Sequence, residues 1–146
     1  MMWEDDFILR AVRQLVEAIA KIARLNERAE HDRALAEAEQ AWSELLDLPA
    51  GLAGAVDSRT LAGMLREPDR IRLAAQLQRE QARALAGKGD PRGAEVQSRR
   101  ALELLLEARA LAGAEPADEA MLRELRLVVP PDALAPRYQA MLAGAA

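Results

Sequence analysis

From Ile8 to Ala23 the apolar residues advance in steps of three and four: Ile8, Val12, Leu15, Val16, Ile19, Ile22 and Ala23. That spacing draws one stripe along a helix, and a similar rhythm returns in later segments. Little in the chain competes with it. One threonine, four isoleucines and six valines leave a sheet without its preferred residues. Alanine, leucine, glutamate and arginine dominate instead, and they lose little side-chain freedom in a helix. A chain of 146 residues written this way is predicted to be one all-α domain with a real core, spanning 1–146.

Proline and glycine cut that domain into pieces. A first hairpin is predicted over about 5–47: a long helix capped by Asp5 or Asp6, a polar break from Asn26 to Asp32, and a second helix carrying Leu35, Ala38, Trp42, Leu45 and Leu46 on its apolar face. Pro49, Gly51 and Gly54 then make a flexible loop. A short connecting helix follows over 57–65, started by Asp57 or Ser58. The second hairpin covers about 68–112, with Pro68 and Pro91 opening its two helices and Gly87-Lys88-Gly89-Asp90 turning between them. Two C-terminal helices lie within 117–143, separated at Pro130-Pro131, and the last starts near Asp132 with Pro136 in its first turn. The expected total is six or seven helices and no strand.

Composition removes several kinds of chemistry. With no cysteine there is no disulfide framework, thiolate metal site or cysteine nucleophile. One histidine excludes a multi-histidine metal centre within one chain. No run of apolar residues is long enough to span a membrane, and the acidic opening Met1-Met2-Trp3-Glu4-Asp5-Asp6 does not resemble a secretory signal. A cytoplasmic location is the expectation. A net charge of −4 argues against a nucleic-acid footprint. Arg59, Arg66, Arg70 and Arg72 nevertheless form a locally basic stretch, which would serve a helical DNA-binding regulator.

Two segments sixty residues apart look alike: Ala29-Glu30-His31-Asp32-Arg33-Ala34, and Gly89-Asp90-Pro91-Arg92-Gly93-Ala94. Each is followed by an alanine one heptad further on, Ala41 and Ala101, so small residues let paired helices approach closely. The pattern resembles the tetratricopeptide repeat, a helix–turn–helix of about 34 residues. The better match runs from about Ala75 to Ala108, with Ala82, Ala84, Leu85, Gly89-Asp90, Ala94, Ala101, Leu102 and Leu104 at repeat positions. It departs from the repeat at Gln78, Gln81 and Leu106. The opening Asp6-Phe7-Ile8-Leu9-Arg10 and the stretch Ala101-Leu102-Glu103-Leu104 also resemble a small family of uncharacterised bacterial proteins of tetratricopeptide type.

That resemblance implies a non-catalytic adaptor presenting a helical groove to a protein or peptide partner. It places Arg79 and Arg83 on the groove's inner face, where basic residues hold a carboxylate. Gln76, Arg79 and Arg83 share one helix face by their spacing, and guanidinium groups bind carboxylates bidentately, so an acidic partner is expected. Alternatively they form a solvated stripe, with Glu80 pairing locally with Arg83. Replacing Arg79 and Arg83 by alanine is expected to weaken partner binding without lowering Tm. No catalytic residue, cofactor or metal is expected. His31 reads as a half-buried turn residue rather than a base beside Glu27, Glu30 or Asp32. Glu37, Glu39, Glu44, Glu103 and Glu107 read as a solvated face. Trp42 reads as core. Trp3 and Phe7 would staple the first helix or bury in a second subunit, making a homodimer the rival reading.

Overall fold

The computed structural model describes residues 2–49 and 51–144, with side chains from Asp6 onward at the amino end. The elements are α1 (Met2–Glu27), α2 (His31–Glu44), α3 (Leu52–Ala55), α4 (Ser58–Leu65), α5 (Pro68–Gly87), α6 (Pro91–Ala112), α7 (Asp118–Val128), a 3-10 turn (Pro131–Ala133) and α8 (Pro136–Gly144). Among the described residues there is no strand and there are eight α-helices, one more than the upper expectation.

The additional helix is α3, in the stretch expected to be flexible. Gly51 enters it with a left-handed φ of 85°, and Arg100 of α6 holds it down by donating to the carbonyls of Ala53 and Val56. Two boundaries also move. α1 is already helical from Met2, so Asp6 lies within it rather than capping it. Asp5 is helical too, but its side chain lies outside the described residues. The last helix begins at Pro136, because a proline fits the first helical position and restricts the residue before it. Asp132 belongs to the 3-10 turn.

The centre of the molecule is the α5/α6 hairpin. The α1/α2 hairpin packs against α5, while α4, α7 and α8 pack against α6. From Ala101 to Ala108 every residue of α6 is buried, which is the signature of a helix covered on all sides. Two of those residues are glutamates, so their placement on a solvated face is wrong. α4 and α8 cover them, and both are satisfied. Glu103 accepts from the Ser58 hydroxyl at 2.7 Å. Glu107 accepts from Arg137 at 2.6 Å and from the Tyr138 hydroxyl at 2.7 Å.

The two hairpins turn by the same device. Glu30 N–H donates to Leu25 O at 2.8 Å and Ala29 N–H to Asn26 O at 3.0 Å; sixty residues later Asp90 N–H donates to Leu85 O at 2.9 Å and Gly89 N–H to Ala86 O at 3.1 Å. Ala29 (φ 59°) and Gly89 (φ 84°) both take the left-handed conformation that closes a helix in this way. The like segments of the sequence are thus like turns.

Candidate functional site

The middle of α5 is largely buried, and three of its less covered residues run along one face. Gln76 and Arg79 are half-buried and Arg83 is exposed. Their spacing does set them along one face of the helix, as expected. Gln76 and Arg79 look into a cleft of about 360 Å³, walled by Val12 and Val16 of α1 and by Ala117, Ala120 and Met121 around the start of α7. Arg79 and Arg83 also edge a second groove of about 410 Å³. Its floor is built from small residues of the central hairpin, Ala82 and Ala86 on α5 with Pro91, Ala94 and Ser98 on α6, and Leu125 and Val128 of α7 line it too.

Neither arginine is free. Arg83 donates to Glu124 of α7 at 2.5 Å and to Glu80 at 2.6 Å. Arg79 reaches the same Glu124 at 3.4 Å. Burial alone would lower the Arg83 guanidinium, but its hydrogen bond to Glu124 and the charge of Glu80 outweigh that and hold it above its ordinary value. The local Glu80–Arg83 pair is present, yet Glu80 is only 1% exposed. Asn26 of α1 donates to its carboxylate at 3.1 Å and to its backbone carbonyl at 3.0 Å. Stripping both arginines therefore leaves a buried carboxylate with Asn26 alone, a cost of about 1–3 kcal/mol. The expectation that this double substitution leaves Tm untouched does not survive the geometry.

His31 ends the same chain of contacts. Its Nδ1 lies 3.0 Å from Asn26 Oδ1, an acceptor, and no carboxylate is hydrogen-bonded to the ring. Half-buried in the first hairpin's turn, it orients Asn26 towards Glu80. Trp42 is 5% exposed, as a core residue should be, and its indole N–H donates to Gln81 at 3.1 Å. That bond explains a glutamine where the repeat pattern calls for an apolar side chain. Gln78 is buried nearby, beside a small polar pocket shared with Gln81, Gln97 and Arg100.

The basic stretch is divided: Arg59 and Arg66 are exposed, whereas Arg70 and Arg72 turn inward. Arg72 is 8% exposed and donates to Asp118 at 3.0 Å and to Gly113 O at 2.8 Å. Arg70 donates to Leu46 O at 2.8 Å. No group of three or more potential ligands among the described residues is placed to hold a metal ion, and no described helix is long and apolar enough to cross a membrane.

The sequence pointed to the arginines and to one of their partners, and not to the other. Glu80 was visible three residues before Arg83. Glu124 was not, because nothing in a linear pattern joins α7 to α5. No protein family, curated protein or solved structure matches the chain.

Proposed function

We propose that this chain is a non-catalytic interaction protein whose α5/α6 groove docks an acidic segment of a partner protein. The observation that supports this most is the combination of a small-residue floor with two guanidinium groups along one edge. Alanines let a partner's backbone come close. Val128, 55% exposed, offers apolar contact, and rigid helices hold the surface ready, which keeps the ordering cost of binding low. Glu124 is then an internal stand-in for the partner's carboxylate. Its pair with Arg83 is about two-fifths exposed on both sides, and such pairs contribute at most about 1 kcal/mol. A competing carboxylate can displace it. The resemblance of the sequence to tetratricopeptide hairpins agrees with this reading, since such hairpins present a groove to partner segments.

The test compares three proteins as bait in a lysate of the native host. A triple variant, Arg79→Ala, Glu80→Gln and Arg83→Ala, removes the cationic edge and neutralises the carboxylate that would otherwise be stranded. Glu124→Gln unmasks the arginines. Capture of an acidic partner should be lost in the triple variant and strengthened several-fold in Glu124→Gln, with both effects shrinking as salt is raised. Equal recovery of the same partners by all three baits removes the proposal.

A further inference from the structure

Past Leu15, towards its amino end, α1 runs out of body to cover it. α1 has 26 residues and α2 has 14, so α1 outruns its hairpin partner by about 18 Å at the helical rise. α5 runs beside α1 in the same direction: Asn26 reaches Glu80 at one end, and Val12 lines a cleft with Asp69 at the other. Since α5 begins at Pro68, it gives little cover to the turns before Ala11. Leu15, Ile19 and Ile22 are 2%, 7% and 1% exposed, whereas Ile8, Leu9 and Phe7 are 48%, 59% and 71% exposed. The apolar stripe therefore continues into solvent.

This end of α1 has the pattern of a helix that pairs with another. Leu9, Val12 and Val16 repeat at three and four, the seam of a heptad; Leu9 and Val16 are exposed, and Val12 is half-buried against the core. Asp6 and Arg13 stand one heptad apart and occupy equivalent places on the same flank of that seam. Both are exposed, and neither is in an ion pair with another described residue. In an antiparallel pair like flanks face each other. Two copies of α1 laid antiparallel then set each Asp6 beside the other copy's Arg13, on both sides of the twofold axis. A parallel pair sets that flank against Ile8 and Leu15, and no ion pair forms. The charge pattern selects both the partner and the direction.

We propose that the exposed amino-terminal half of α1 is a dimerisation helix that pairs antiparallel with α1 of a second copy. The seam is short. It falls below the roughly 800 Å² per partner of a standard interface, so a dissociation constant in the micromolar range is expected. Val12 and Val16 wall the cleft beside Arg79, but no seam residue lines the α5/α6 groove, and Leu9, Asp6 and Arg13 line neither, so substitutions at those three test dimerisation without altering the groove.

Sedimentation equilibrium of the full chain, over a concentration series up to about 100 µM, should show a monomer–dimer equilibrium. Leu9→Glu places a charge in the seam and should weaken dimerisation roughly 100-fold. Because Leu9 is exposed in the monomer, helicity and Tm should be unchanged below the dimerisation range. Asp6→Arg and Arg13→Asp should each weaken self-association by about tenfold. The deciding measurement mixes those two variants, whose flanks complement each other at both contacts; a heterodimer of near wild-type affinity supports the proposal. A wild type that stays monomeric overturns it. So does a dimer that survives Leu9→Glu, or a mixture that associates no better than its components.

Discussion

Two glycines of the α5–α6 turn look interchangeable in the sequence and do different work. Gly89 closes α5 with a positive φ. Gly87 is still helical, and what it requires is space: a β-carbon there would lie 2.2 Å from His31 Nε2, with two further ring atoms within 2.6 Å. The His31 ring is tied to Asn26, so it cannot simply swing aside. Gly87→Ala is expected to destabilise by about 1–3 kcal/mol, seen as a lower chemical-denaturation midpoint. In a His31→Ala background the same substitution should cost little or become stabilising, since alanine favours a helix over glycine by up to about 1 kcal/mol. Equal costs in both backgrounds would show that the ring is not the obstacle. The matching turn supplies a converse. Ala29 holds a left-handed φ of 59° that glycine adopts freely. Ala29→Gly should stabilise by about 0.5–1 kcal/mol and Gly89→Ala destabilise by a similar amount. None of this distinction was legible in the sequence. Gly-Lys-Gly announces a turn, but which glycine faces a ring depends on a hairpin sixty residues away.

At the scale of elements, legibility followed helical period and start signals. α1, α2, α5 and α6 were readable because their apolar residues keep helical spacing over many turns; prolines mark the starts of α5 and α6, and Asp57 marks that of the short α4 by capping it, whereas the acids near the start of α1 lie inside it. α3 was not, since four residues carry no period and the helix depends on Arg100 reaching across from α6. α8 has nine residues, and its attachment is chemical as much as apolar. Tyr138 and Leu142 bury beside α6, and Arg137 and Tyr138 both donate to Glu107. Burial pushes the Glu107 carboxyl up, but those two hydrogen bonds and the Arg137 charge outweigh it and leave it below its ordinary value. A lowered acid stabilises the fold above the unfolded carboxylate pKa of about 4.3, and that contribution is lost as pH falls through the folded value. Burial and the bond to Glu107 push the Tyr138 phenol well above its ordinary value. A raised acid contributes fully below the unfolded pKa, near 10, and loses that contribution as pH rises further. The stability difference between wild type and Tyr138→Phe should therefore be constant from about pH 5 to 10. It should amount to about 1–3 kcal/mol there and shrink on both sides. A difference that does not change with pH would assign Tyr138 a packing role only.

For the whole molecule, the sequence carried the fold class and the two long hairpins, but not how the last third lies on them. That arrangement is set by charged side chains that turn inward. Arg72 is the clearest case, because it was read as part of a basic surface and is instead a buried clamp. Its guanidinium holds Asp118, 4% exposed, and the Gly113 carbonyl; Asp118 in turn accepts from the Glu115 backbone N–H at 3.1 Å. The clamp pins the 113–118 loop to α5 and so sets where α7 starts. Two turns on, the same helix brings Glu124 to Arg79 and Arg83. One buried pair thus fixes the orientation of the helix that lines the candidate groove. Asp118→Ala leaves Arg72 with only the half-exposed Glu115, 3.2 Å away, and should cost up to about 3 kcal/mol, whereas Arg72→Leu combined with Asp118→Leu should recover most of that loss. Hydrogen exchange separates a local from a global effect. In Asp118→Ala the amides of 118–128 should lose protection first, while those of the α1/α2 hairpin, which packs against α5 where α7 packs against α6, keep theirs until global unfolding. If the two regions lose protection together, the clamp stabilises the fold as a whole and α7 is not an independently held wall of the groove. If only α7 loosens, the double leucine variant should restore its protection and, with it, the contacts of Glu124 with the arginines.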